Sequence, residues 1–171
     1  MKKLVFILTT FVALSLTQTA TAQKTIVDVA VGNEDFSTLV AALTAADLVA
    51  ALQGDGPFTV FAPTNSAFAK IDKDALGNLL KPENKATLAN ILTYHVIPSK
   101  LMASDVVAAL KKGNGSVEVK ALNGTVLTVL SKDGKIWLKD AAGNYSEIVA
   151  TDVAASNGVI HVINNVLLPS L

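Results

Sequence analysis

Phe58-Thr59-Val60-Phe61-Ala62-Pro63-Thr64-Asn65-Ser66-Ala67-Phe68 changes character at its middle, and that change decides the fold class. Phe58 to Phe61 is aromatic and β-branched, the composition of a buried strand. Pro63 has no N–H for a sheet ladder, so the strand stops there. Thr64 or Asn65 then caps a turn of helix through Phe68 and Ile71, since either side chain can accept from the free N–H groups of a first turn. Phe58, Val60 and Phe68 are large apolar groups around a corner that Pro63 and Asn65 fix. These residues are assigned to structure.

Reading outward from this corner separates two regimes. Towards the N-terminus, Ser37 is placed to cap a helix carrying Leu39, Val40, Leu43 and Ala46. A second short helix is expected from Asp47 to Leu52, ending at Gly54 with Gly56-Pro57 beyond. Towards the C-terminus, Lys85 to Leu92 is helical with Leu88, Ile91 and Leu92 on one face. Asp105 to Leu110 follows as a short helix capped by Ser104. From about Ser116 the period becomes two. Val117 to Leu122 alternates, Asn123-Gly124 makes a hairpin turn, and Thr125 to Leu130 returns. Asp133-Gly134 leads into Ile136-Trp137-Leu138, and Ala142-Gly143-Asn144 into Tyr145 to Ala150. Gly158 to Ile163 and Val166 to Leu168 complete the sheet. Helices first and a meander afterwards predict an α+β domain.

The first 22 residues read as a cleavable secretory signal peptide. Lys2 and Lys3 form the positive start, Leu4 to Leu16 the apolar stretch, and Ala20-Thr21-Ala22 the small-x-small cleavage site. The apolar stretch falls short of the roughly 20 residues that span a bilayer. Cleavage leaves residues 23–171 as a single domain, expected to be periplasmic or extracellular, monomeric and without membrane insertion. With no cysteine to carry a lipid, surface attachment is expected to rest on noncovalent capture. The lysine-led peptide has a bacterial look.

Several function classes drop out on composition. Without Lys2 and Lys3, 12 lysines face 14 carboxylates, and there is no arginine. Nucleic-acid binding needs a basic face, so no nucleic-acid partner is expected. Lys111-Lys112 is the only mature basic pair, too little for a polybasic membrane patch. With no cysteine, packing alone holds the fold, and thiol chemistry and Cys-based zinc sites are absent.

Candidate chemistry is sparse. His95 and His161 are the two histidines, with no metal-ligand spacing between them. Each is read as a structural imidazole that donates from one ring nitrogen and accepts at the other, tying two segments together. Asp72-Lys73-Asp74 looks like a calcium-loop opening but lacks the turn glycine and closing Glu, so it is read as a helix start. Ser156 and His161 lie close in sequence but face opposite sides of a strand, which argues against a hydrolytic pair. Asp133 with Asp140, and Glu34 with Asp35, are read as solvated turns. Trp137, the single tryptophan, is read as core, with stacking on a sugar ring as the alternative. Asn157-Gly158 is a turn that launches the last hairpin. No cofactor is expected.

Three segments together resemble a known family. They are Phe58 to Phe68, Tyr94-His95-Val96-Ile97, and Ala155-Ser156-Asn157-Gly158-Val159-Ile160-His161-Val162-Ile163 with Val166-Leu167-Leu168-Pro169. In order and spacing they are similar to the first box, the tyrosine-histidine motif and the second box of the fasciclin (FAS1) domain, over about Thr25 to Leu168. The resemblance implies a β-sandwich or wedge flanked by helices packed from the N-terminal half. It also implies a non-enzymatic adhesion or surface-interaction module outside the cytoplasm. In animal members, integrin contact is attributed to an Asp-Ile dipeptide and to the tyrosine-histidine segment. Here Asp152-Val153 stands at the dipeptide position, and Tyr94-His95 is intact. Tyr94, His95, Asp152 and Val153 are therefore the candidate interaction residues, near an exposed surface. Phe58, Pro63, Thr64, Asn65, Phe68, Asn157, Gly158 and His161 are the structural motif. The expected partner is a cell-surface protein or polysaccharide, and the alternative function is a glycan or lipid carrier.

Overall fold

The strand–helix corner forms as its sequence directs, and the sheet grows around it. The computed structural model describes residues 24–169; the expected signal peptide lies outside them. Strand β1 (Phe58–Pro63) runs into helix α4 (Asn65–Phe68), whose cap is Thr64, accepting from the Ala67 N–H at 3.3 Å. Asn65 is thus the first helical residue, and its side chain works elsewhere. It accepts from Thr38 N–H at 3.0 Å and donates to Glu34 O and Ser37 Oγ.

Before the corner lie α1 (Ile26–Val31), α2 (Ser37–Ala45) and α3 (Val49–Gln53). The first was not anticipated. Its start is marked by Thr25 and Asp28, which exchange hydrogen bonds as a capping box. Two expectations need correction here. Ser37 does not cap α2, because a 3-10 turn from Glu34 to Phe36, capped by Asn33, runs straight into it. Asp47 does not open α3, since it takes a left-handed φ of 56° between α2 and α3 and pairs with Lys85.

After the corner come α5 (Lys73–Leu79), α6 (Lys85–Tyr94), β2 (Val96–Ile97) and α7 (Ala103–Lys112). Asp72 caps α5 by accepting from Asp74 and Ala75 N–H, which fits the helix-start reading. Ser104 lies inside α7 rather than at its cap. The meander follows as β3 (Ser116–Lys120), β4 (Val126–Lys132), β5 (Lys135–Lys139), β6 (Tyr145–Ala155) and β7 (Gly158–Ile163). Val166 to Leu168 is not a strand; it is an irregular segment held by side chains.

All strands join one sheet in the order β2-β1-β7-β6-β5-β4-β3, with β1 and β7 parallel and the other pairs antiparallel. Strand β6 is irregular in register between Ile148 and Val153, at the passage between the two halves of the sheet. The cores show how the halves meet. Val60, Ala62 and Ile160 pack into a cluster with Ile26, Leu39, Leu43, Phe68, Leu88 and Leu92 from the helices. Phe61 and Ile163, on the opposite face of the same strands, pack with Leu127, Val129 and Leu138 of the meander and with Leu110 of α7. Strands β1 and β7 are therefore covered on both faces, which is why they read as continuous apolar runs. The domain is α+β, a wedge of β-structure with flanking helices drawn mainly from the N-terminal half.

Gly158 sits where β7 starts against β1. A Cβ there would lie 2.0 Å from the Phe58 carbonyl oxygen, so no other residue fits without parting the strands. Beside it, Asn157 accepts from Ile26 N–H at 3.0 Å and donates to Leu52 O and Gly54 O. The turn residue is also a clamp joining α1, α3 and the last hairpin.

Candidate functional site

Tyr94 and His95 end α6, and the amphipathic face of that helix carries both inward. Tyr94 is fully buried and His95 is 2% exposed. The Tyr94 hydroxyl donates to Val126 O at 3.1 Å and accepts from Ala141 N–H at 3.0 Å. The first bond reaches the start of β4, the second the turn before β6. Burial pushes the Tyr94 hydroxyl pKa up, partly offset by the Ala141 contact.

His95 fixes its own tautomer. Nδ1 lies 2.8 Å from Ile91 O, which can only accept, so Nδ1 carries the proton. Nε2 then accepts from Leu167 N–H at 3.0 Å. The ring thus connects α6 to the C-terminal segment, as a neutral imidazole. Loss of hydration lowers its pKa from 6.5 to about 4, against the opposing influences of Ile91 O and the nearby Asp140 carboxylate.

Asp140 holds the adjoining part of the same segment. It is 4% exposed and accepts from Leu168 N–H at 2.9 Å, from Asn144 N–H at 2.7 Å and from Asn144 Nδ2 at 3.1 Å. The expectation of a solvated turn residue is corrected: Asp140 is a buried latch, whereas Asp133, Glu34 and Asp35 are exposed. Tyr94 thus ties α6 to the meander, His95 ties α6 to the C-terminal segment, and Asp140 ties that segment to the meander.

His161 does parallel work with the opposite tautomer. Its Nε2 donates to Leu101 O at 2.7 Å and its Nδ1 accepts from Asp152 N–H at 3.3 Å. The ring stacks on Phe61 with centroids 5.8 Å apart. Asp152 itself has a left-handed φ of 58° within the irregular stretch of β6. Its Oδ1 accepts from Ala103 N–H at 2.8 Å, supplying the first turn of α7 with an acceptor from another strand. Val153 is half-buried against the helical core.

The expected exposed surface at Tyr94-His95 is therefore corrected. Helix α6 ends against the meander, so both side chains face inward and are consumed by hydrogen bonds to backbone. Asp152 and Val153 are half-buried, and Asp152 serves as a cap. These four residues form two separate structural ties. Ser156 is exposed and His161 buried with both nitrogens engaged, so they make no catalytic pair. Among the described residues, no three His, Asp or Glu side chains converge as metal ligands, and no helix is long and apolar enough to cross a membrane.

What stays open is the outer face of the meander. Strand alternation sends Leu127, Val129, Ile136 and Leu138 into the core, and their neighbours outward. Leu130 of β4 is directly opposite Trp137 of β5, and Trp137 is opposite Glu147 of β6. Lys139 is opposite Tyr145, and its Nζ lies 5.9 Å from the ring centroid. Leu130, Lys132, Trp137 and Tyr145 line a groove of about 380 Å³. Trp137 is half-buried and belongs to neither core cluster, so the reading of it as core is corrected. A larger hollow of about 510 Å³ lies beside Gly54 to Pro57 and Ser156 to Gly158. Asn157 in its wall is already committed to the clamp described above.

A family model described as the Fasciclin domain matches residues 34–169. The chain belongs to the fasciclin domain family. This fasciclin domain is 52% identical over 157 residues to protein sll1483 of Synechocystis, covering 91% of this chain and 80% of that one. It is 39% identical over 145 residues to transforming growth factor-beta-induced protein ig-h3 of Sus scrofa, covering 85% of this chain and 19% of that much longer protein. It shares its fold with a FAS1 domain pair from the insect cell adhesion molecule Fasciclin I, at a TM-score of 0.53 and 24% identity over 74% of this chain and 40% of that one. Sequence reasoning missed the roles of Asp140 and Asn144 as a latch. The Asp-x-x-Gly-Asn spacing signals a turn, but nothing local says that a distant Leu168 N–H will dock on it.

Proposed function

We propose that this fasciclin domain is exported and works as a non-enzymatic interaction module at a cell surface, holding a surface protein or polysaccharide. The observation that carries this reading is the commitment of the reactive groups. Both histidines, Tyr94 and the buried Asp140 spend their polar atoms on backbone partners, and so are not free to do chemistry on a substrate. Membership of the fasciclin family supports an extracytoplasmic adhesive role. The apolar leader at Leu4 to Leu16 supports export.

Attachment of the producing cells, with the gene deleted and then restored, tests the proposal. Attachment falls on deletion and recovers on restoration. Unchanged attachment and biofilm formation refute it.

A second reading, a glycan carrier, is favoured by one observation. Trp137 faces out of the meander and opens onto a groove beside Tyr145. A carrier gives saturable tryptophan quenching with its ligand while leaving attachment untouched by deletion.

A further inference from the structure

Among the described residues, one buried side-chain polar atom has no hydrogen-bond partner: Nε1 of Trp137. Unpartnered donors of this kind are rare in a finished fold and need a reason. This one belongs to the residue at the centre of the outer face of the meander.

The charges on that face are equally unusual. Lys120, Lys132, Lys135 and Lys139 lie on it against Glu118 and Glu147. Carboxylates outnumber lysines in the described chain as a whole, so this face reverses the overall balance. Lys132 is directly opposite Lys135, an arrangement that disfavours the hairpin. Lys135 is relieved by Glu147 at 2.6 Å. Lys132 and Lys139 have no carboxylate within salt-bridge distance among the described residues.

We propose that this face binds an anionic polysaccharide across Trp137 and Tyr145. The inference rests on the reading of the domain as an interaction module and names its ligand class. The indole and the phenol ring, the latter 48% exposed, offer flat apolar surface to the carbon-bearing face of a sugar ring. Lys132 and Lys139 flank that surface and meet acidic groups along the chain. Nε1 itself is sealed from solvent, so the ligand meets the open part of the ring and not its N–H. The groove of about 380 Å³ falls within the size range of small-ligand sites. A single-stranded nucleic acid would also use rings and lysines, but Glu118 and Glu147 stand on the same face and no arginine exists to grip phosphate.

Because Trp137 is the only tryptophan, intrinsic fluorescence reads the site directly. The protein produced from its full sequence is titrated with oligogalacturonate, sulfated dextran oligomer, neutral dextran oligomer and oligodeoxythymidylate. At least one anionic glycan gives a saturable change, and the carboxylated and sulfated arms identify the acidic group. Binding weakens about tenfold between low and high salt, because exposed charges are screened. The Lys132→Ala/Lys139→Ala variant binds at least about tenfold more weakly with unchanged thermal stability, consistent with small folding effects of exposed lysines. Lys111→Ala/Lys112→Ala, on α7, leaves binding unchanged. The site is refuted by no response to either anionic glycan, by equal affinity for neutral dextran, by tighter binding of the oligonucleotide, or by an equal loss in the α7 variant. A silent titration with attachment still dependent on the gene removes this site and leaves the module standing. Attachment indifferent to the gene removes the module.

Discussion

Acidification is expected to undo the His95 tie. The folded domain keeps this ring neutral, with a pKa lowered from 6.5 to about 4 by burial, while the unfolded chain protonates it near 6.5. The unfolded state therefore binds more protons between these values, and stability falls as pH falls. The full contribution is present above pH 6.5. At about 1.4 kcal/mol per unit, roughly 2 kcal/mol is gone by pH 5 and about 3 kcal/mol by pH 4. The structural cause is that a protonated Nε2 can no longer accept from Leu167 N–H, so two donors face each other in a dry site. Urea unfolding of the wild type and of His95→Gln across pH 7 to 4.5 isolates the effect, since carboxylate titration is common to both. The wild type is the more stable at pH 7, and its advantage shrinks towards acid by the amounts given. An advantage that does not change with pH refutes the assignment of His95 as a buried neutral tie.

Three further outcomes follow from the same contacts. Gly158→Ala forces a Cβ to within 2.0 Å of Phe58 O and parts β7 from β1, at a cost of about 3 kcal/mol or more; a loss below about 1 kcal/mol in urea unfolding contradicts the close approach. Asp140→Ala strands the N–H groups of Asn144 and Leu168 and costs about 2–4 kcal/mol, whereas Asp140→Asn, which keeps one acceptor oxygen, costs less; equal losses contradict the latch. Asp152→Ala removes the acceptor at the start of α7 and costs about 1 kcal/mol, read as faster amide exchange in residues 103–106; exchange unchanged there contradicts the cap.

The strand–helix corner was legible because its signals are local: β-branched residues, Pro63, and Thr64 ahead of an apolar turn. The meander was legible for the same reason. Gly124, Gly134 and Gly143 all take left-handed φ at the expected hairpin turns. Strand β2 escaped notice because it is two residues long and exists only through pairing with Thr59 and Val60. The start of α5 was legible at Asp72, but its extent was not, because the helix buries no side chain fully and so lacks a clear apolar stripe. Val166 to Leu168 has strand composition, but its backbone is held by His95 and Asp140 instead of a ladder. The burial of Tyr94 and His95 escaped the sequence for a related reason. Burial of Tyr94 and His95 depends on which face of α6 meets the meander, and the outward placement of the half-buried Trp137 depends on which face of β5 turns inward. Alternation defines two faces of a strand but leaves open which one is covered.

Attachment of the producing strain is to be measured with its gene deleted, and with the deletion complemented by the wild type or by Lys132→Ala/Lys139→Ala. Deletion lowers attachment, the wild type restores it, and the double variant, exported and folded, does not. Attachment that is unaffected by deletion shows that this domain does not hold the cell to a surface.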